Sequence, residues 1–270
     1  MLRNLICVFC QILLFGVSSS AYGNDAPVIL GAGGAQLMSG PITVVMESEI
    51  VQITLKENSY IVDATFNFRN TGGKWEIDVG FPKNGRGSID DRFSGTVDFI
   101  KFETWVDGVP VKAVERPEMA RIQGNYTLPE LIKKIRETED VKSLRLYAVD
   151  NRWMVKTKVM FPANKSTVTR VLYEAPYNPA GLCIGSMGYT YGTGQYWAGN
   201  IGKSTFIIDS SAFPKEDRPK DIYISDSQDR KKAKITKPKD GIIKCEIQNY
   251  KPHTSDAWID MSLGCPWDKQ

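Results

Sequence analysis

One histidine, His253, serves all 270 residues, and that scarcity excludes more than any other feature of the chain. Zinc motifs built on paired histidines or regularly spaced cysteines have no residues to use, so no metal and no cofactor is expected. Any Ser-His or Cys-His catalysis has to pass through His253, which stands between Pro252 and Thr254 in NYKPHTSD, a loop context. A long apolar run is also missing. The longest, Leu5 to Val17, falls short of the roughly 20 residues that span a bilayer.

That run follows Arg3 and precedes SSSAYG, the three-part form of a secretory signal, with cleavage expected between Gly23 and Asn24. Cys7 and Cys10 leave with it. Export to the periplasm or the extracellular space is therefore expected, with no transmembrane segment in the mature chain. Without the signal, 33 basic residues face 31 acidic ones, too even a balance to point to nucleic acid or an anionic membrane as partner. The basic run RKKAKITKPK at 230–239 reads as a solvated edge, since lysines commonly blunt exposed strand edges.

Three cysteines remain, Cys183, Cys245 and Cys265, and three thiols allow three single pairings. Cys245 alternates with Ile243 and Ile247 and reads as a small buried hydrophobe. Cys183 in GLCIG and Cys265 in LGCP sit in glycine-flanked turns, which favours that pair for a disulfide.

Period-two alternation dominates the rest. In SYIVDATFNFRN, Tyr60, Val62, Ala64, Phe66 and Phe68 are apolar with polar residues between most of them, so one face is buried and the other wet. Asn70-Thr71-Gly72-Gly73 signals a turn, and KWEIDVGFP resumes the alternation, which predicts an antiparallel strand-turn-strand unit. ITVVMESE and IVQITLKE are further candidate strands, and TVDFIKFETWVDGVPVKAV predicts a hairpin turning at Asp107-Gly108. In TLPELIKKIRET, Thr127 and Glu130 form a capping box ahead of a Leu128, Leu131, Ile132, Ile135 stripe, the pattern of one amphipathic helix. Strands then return in WMVKTKVMF, STVTRVLYEA, STFIID, DIYIS, KAKITK, GIIKCEIQN and DAWIDMSL. The expected fold is all-β. It comprises an N-terminal sandwich over 24–118, a helical connection over 119–150 and a C-terminal sandwich over 151–270, both immunoglobulin-like.

Chemical motifs fail on inspection. GTGQYWAGNIGKST ends like a phosphate loop, but the first glycine of that motif falls on Trp197 and the following segment is strand-like, so no nucleotide is expected. Gly185-Ser186-Met187-Gly188 approaches a nucleophile elbow with Ile184 in place of its first glycine. Asp90-Asp91 lacks the spaced carboxylates of a calcium loop. Tyr191, Tyr196 and Trp197, set among glycines, suit either core packing or a sugar-stacking surface.

NDAPVILGAGGAQL, MESEIVQITLKENSYIVDATFNFRNTGG with IDVGFP, YTYGTGQYWAGNIGKSTFIID and NYKPHTSDAWIDM together resemble a family of bacterial exported proteins classed as a domain of unknown function. The N-terminal strand, turn and closing G-F-P are similar, as a short pattern, to the β domains of vault and inter-alpha-inhibitor proteins. The first resemblance implies an exported β-protein and assigns no site residues. The reading that results is a non-enzymatic protein that binds or scaffolds an envelope protein or glycan. Its rivals are an envelope hydrolase using scattered carboxylates or Ser186 with His253, and a carbohydrate-binding module using Tyr191, Tyr196 and Trp197.

Overall fold

The computed structural model describes residues 21–31, 34–38, 40–83, 99–117, 152–180, 183–254 and 257–265. Most of the expected leader, Asp90-Asp91 and the helix expected within 119–150 lie outside these residues.

The N-terminal strands are β1 (Ala21–Gly23), β2 (Ala26–Gly31), β3 (Gly34–Leu37), β4 (Val44–Leu55), β5 (Ser59–Asn70) and β6 (Trp75–Lys83). Next come β7 (Lys101–Val106), β8 (Val109–Pro110), β9 (Ala113–Pro117), β10 (Arg152–Phe161), β11 (Ser166–Pro176) and β12 (Asn178–Ala180). The last are β13 (Cys183–Thr190), β14 (Ile201–Asp209), β15 (Tyr223–Ile224), β16 (Lys234–Lys239), β17 (Ile242–Tyr250) and β18 (Trp258–Leu263). A short helix, α1 (Ser227–Lys232), and a 3-10 turn at Gly192–Tyr196 are the helical elements that bear on the site.

These strands form an all-β sandwich. An eight-stranded sheet runs in the order β16-β17-β14-β4-β5-β11-β7-β8. Two five-stranded sheets pack on it: β3-β2-β6-β10-β9, and β1-β13-β18-β15 with β12 added to β13. One large core cluster joins all three, with Phe68 against Phe161, Phe81 against Tyr173 and Tyr189 against Phe206, beside a smaller cluster of Ala26, Val28, Trp153 and Val155.

The alternating face of β5 is the centre of that core, where Tyr60, Val62, Ala64, Phe66 and Phe68 are all fully buried. Its opposite face carries the bidentate Arg170–Asp63 pair, with the Arg170 guanidinium over Trp105, as antiparallel strands wet on one side allow. ITVVMESE and IVQITLKE, read as separate candidates, form the single strand β4. A register shift between Met46 and Ser48 switches its parity, so Met46 and Glu49 both face inward. Gly202 on β14 passes this bulge closely, since a Cβ there would lie 2.3 Å from the Glu47 carbonyl oxygen.

The hairpin at Asp107-Gly108 forms as expected, with φ of 49° and 78°. The strand-turn-strand unit from β5 to β6 does not form a hairpin. β5 pairs with β4 and β11, whereas β6 pairs with β2 and β10 in another sheet. Asn70 explains the crossing: its Nδ2 donates to the carbonyls of Gly73 (2.7 Å) and Phe161 (2.9 Å), and its Oδ1 accepts from Gly72 N–H and Thr43 Oγ1. The side chain thereby satisfies backbone groups at a sheet-to-sheet corner.

The expected separation into sandwiches over 24–118 and 151–270 is corrected by the same pairings. β14 lies parallel to β4, β11 antiparallel to β5, and β10 antiparallel to both β6 and β9. Strands from the two stretches are interleaved, so the boundary does not separate two sheets.

Candidate functional site

The sequence-singled aromatics are inside. Tyr191 is fully buried and Trp197 is 2% exposed. Trp197 packs at 4.4 Å from Phe68 and donates through Nε1 to the Asp25 carbonyl at 2.9 Å. Tyr196, half-buried, packs against Ala26, Val28, Trp153 and Val155. A sugar-stacking surface made of these three rings is thereby corrected: the 3-10 turn folds the ring of Trp197 into the core. The Gly202-Lys203-Ser204 stretch is extended strand, paired with both β4 and β17, so no phosphate cradle exists there.

The proposed Ser-His pair is also absent. Ser186 is fully buried on β13 and its Oγ has no hydrogen-bond partner, whereas His253 Nδ1 lies 3.2 Å from Asp226 Oδ2. A serine without a base to take its proton is not an activated nucleophile. Cys183 and Cys265 do form a disulfide, and Cys245 is a buried free thiol, with burial pushing it up to about 12. β13 pairs Gly185 with Leu263 on β18. Extending that register by two places sets Cys183 opposite Cys265.

Gly23, at the expected cleavage point, ends β1, which runs parallel to β13. Asn24 follows directly into the core, its N–H donating to Thr190 at 2.7 Å and its carbonyl accepting from Thr193 Oγ1 at 2.8 Å. Asp25 is fully buried, where its Oδ2 accepts from Lys156 Nζ and, at 2.5 Å, from Thr169 Oγ1. Burial lowers the Lys156 amine, and the Asp25 carboxylate opposes that shift.

A cleft of about 350 Å³ opens between Val28 of β2, Met38, residues Trp75 to Asp78 of β6, and Lys158 of β10. The ladder of β2 on β6 ends at the Val28–Asp78 pair, while the other edge of β2 continues its pairing with β3. The start of β6 is left bordering the cleft. Trp75 is held by its Nε1 donating to Thr43 Oγ1 at 2.9 Å. Lys158 sits in a bulge of β10 with φ of 56°, and its N–H donates to Asp78 Oδ1 at 2.8 Å. A left-handed non-glycine residue stores on the order of 1 kcal/mol; here it sets Lys158 at the cleft beside two carboxylates. Among the described residues, Glu76 and Lys158 have no ion-pair partner. The cleft thus offers an indole, a thioether, two acids and an amine, groups that recognise without forming a nucleophile-base pair.

Sequence reasoning missed this cleft. Trp75, Glu76 and Asp78 read as ordinary strand residues, and Lys158 as one polar position in WMVKTKVMF. Only the bulge distinguishes them, and nothing in the local pattern announces it.

No family model matches the chain, and no curated protein matches its sequence. Among solved structures, a Legionella pneumophila protein provisionally described as nutrient-binding aligns with a TM-score of 0.51 at 16% identity, over 91% of this chain and 71% of its own. The M1 zinc metallopeptidase of Deinococcus radiodurans aligns with a TM-score of 0.36 at 9% identity, over 84% of this chain and 43% of its own. Aminopeptidase A of Legionella pneumophila gives 0.34 at 8%, over 88% and 23%. The chain spans less than half of either peptidase, and its likeness to the first protein is one of fold.

Proposed function

We propose that the chain is an exported, non-catalytic binding protein of the cell envelope whose ligand is a small amine or zwitterion held in the Trp75 cleft. The observation that carries this reading is the chemistry of the lining. Glu76 and Asp78 suit an ammonium group, Lys158 suits a carboxylate, and Trp75 offers an apolar face to the body of the ligand. The signal-like N-terminus and the resemblance to bacterial exported proteins agree with export. The described Cys183–Cys265 disulfide is chemistry at home in an oxidising compartment. Among the described residues, no helix is long and apolar enough to cross a membrane. The nutrient-binding description of the Legionella protein is of the same functional kind.

Calorimetric titration of the exported, purified chain with amino acids, polyamines and neutral oligosaccharides tests this. Binding of an amine or zwitterion is expected, weakened roughly tenfold or more by Trp75→Ala and by Glu76→Gln. No binding by either class, or binding indifferent to both substitutions, overturns it. An oligosaccharide that depends on Trp75 and not on Glu76 transfers the cleft to a glycan.

A further inference from the structure

Asp226 caps α1. Its Oδ1 accepts the N–H groups of Gln228 at 2.8 Å and Asp229 at 3.2 Å, and its Oδ2 lies 3.2 Å from His253 Nδ1. Asp229, in the first turn of α1, is 1% exposed. Its Oδ2 accepts from the Tyr191 hydroxyl at 3.0 Å, while its Oδ1 is buried with no hydrogen-bond partner. One oxygen of each carboxylate and one imidazole nitrogen lie within 4.8 Å of one another.

We propose that Asp226, Asp229 and His253 form a site for a divalent first-row transition cation, with zinc the best match. Two carboxylates in this proximity repel each other, and one of them is out of water. Among the described residues Asp229 has no ion-pair partner. Leaving a buried carboxylate oxygen unpaired is destabilising; a dication removes that cost and neutralises both acids.

Geometry agrees. An ion with zinc bond lengths of about 2.0–2.2 Å in tetrahedral coordination sets its ligand atoms about 3.3 Å apart. His253 Nδ1 and Asp226 Oδ2 already stand at 3.2 Å. The third ligand needs only a side-chain adjustment, since all three lie within 4.8 Å. Tyr191 holds Asp229 through Oδ2, which leaves Oδ1 as the oxygen free to ligate and makes the phenol a supporting partner of the kind that orients metal ligands. Two oxygens and one imidazole nitrogen suit zinc or manganese; calcium asks for six to eight oxygens. An ordinary His-Asp ion pair accounts for Asp226 and His253 alone and leaves Asp229 Oδ1 without a reason.

The test is titration of the chelator-treated full chain with zinc, manganese and calcium chlorides, read by calorimetry and by thermal midpoint. One zinc per chain is expected, with a rise in midpoint, and calcium is expected to bind at least tenfold more weakly. His253→Ala removes an exposed ring and Asp229→Asn keeps the buried shape. Each should weaken zinc at least tenfold and abolish the zinc-dependent rise. Midpoints in chelator establish that each variant is folded, and if Asp229→Asn is not, His253→Ala decides alone. Absence of zinc binding, or binding undiminished in the folded variants, overturns the site.

Discussion

Glu49 faces inward only because of the bulge ahead of it on β4, and its carboxyl is fully buried beside Tyr250, Ser204 and Asn24. Tyr250 donates to its Oε1 at 3.3 Å, and burial nonetheless raises its pKa from 4.5 to about 7. A raised acid stabilises the fold fully below its unfolded pKa and loses that contribution as pH rises through the folded value. The window here runs from about pH 4.5 to about pH 7. Glu49→Gln should therefore raise the thermal midpoint at pH 8 and leave it little changed at pH 4, so midpoints measured across that range should flatten. Lys156 is a second residue whose role depends on its surroundings. Buried with Asp25, it is expected to cost about 3–5 kcal/mol when replaced by Met, because Asp25 is left charged and unpaired. Asp25→Asn combined with Lys156→Met should recover most of that loss in denaturant melts. Neither residue stands out in the sequence: both read as the polar beats of a strand or the start of one.

At the scale of elements, local pattern was enough to place β5, β11, β14, β17 and β18, because a half-buried antiparallel strand writes its two faces into alternate residues. Pattern did not say which strands meet. The β5 and β6 segments are joined by a turn-rich link that reads as a hairpin, yet Asn70 carries the chain across to another sheet. The basic run at 230–239 divides between α1 and the exposed edge strand β16, in keeping with a solvated edge over its second half. β13 and β18 are tied by Cys183–Cys265 across a separation of 82 residues. Replacing both cysteines by serine should cost about 2–4 kcal/mol, chiefly by freeing the unfolded chain. Equilibrium unfolding of the double variant checks this, and the buried Cys245 should stay silent to thiol reagents until unfolding.

At the scale of the whole molecule, the stretches before and after 119–150 are each β-rich, so the sequence invites a division into two sandwiches. The eight-stranded sheet instead takes β4, β5, β7 and β8 from one stretch and β11, β14, β16 and β17 from the other. These pairings join residues as far apart as Ser48 and Lys203, and alternation carries no label for a distant partner. The candidate sites have the same origin. The cleft unites β2, β6 and β10, and the cation cluster unites α1 with a histidine 27 residues from Asp226.

The amino-acid sequence by itself determined the all-β class, most strand positions, the Asp107-Gly108 turn and the lack of a phosphate loop, because these follow from residue type and short-range spacing. It also favoured the pairing of Cys183 with Cys265. Tertiary structure alone decided that Tyr191 and Trp197 lie in the core, that β5 and β6 part company, and that Trp75 with Lys158, and Asp229 with His253, come together. Those outcomes depend on which faces meet when distant strands pair, and only the folded chain specifies that.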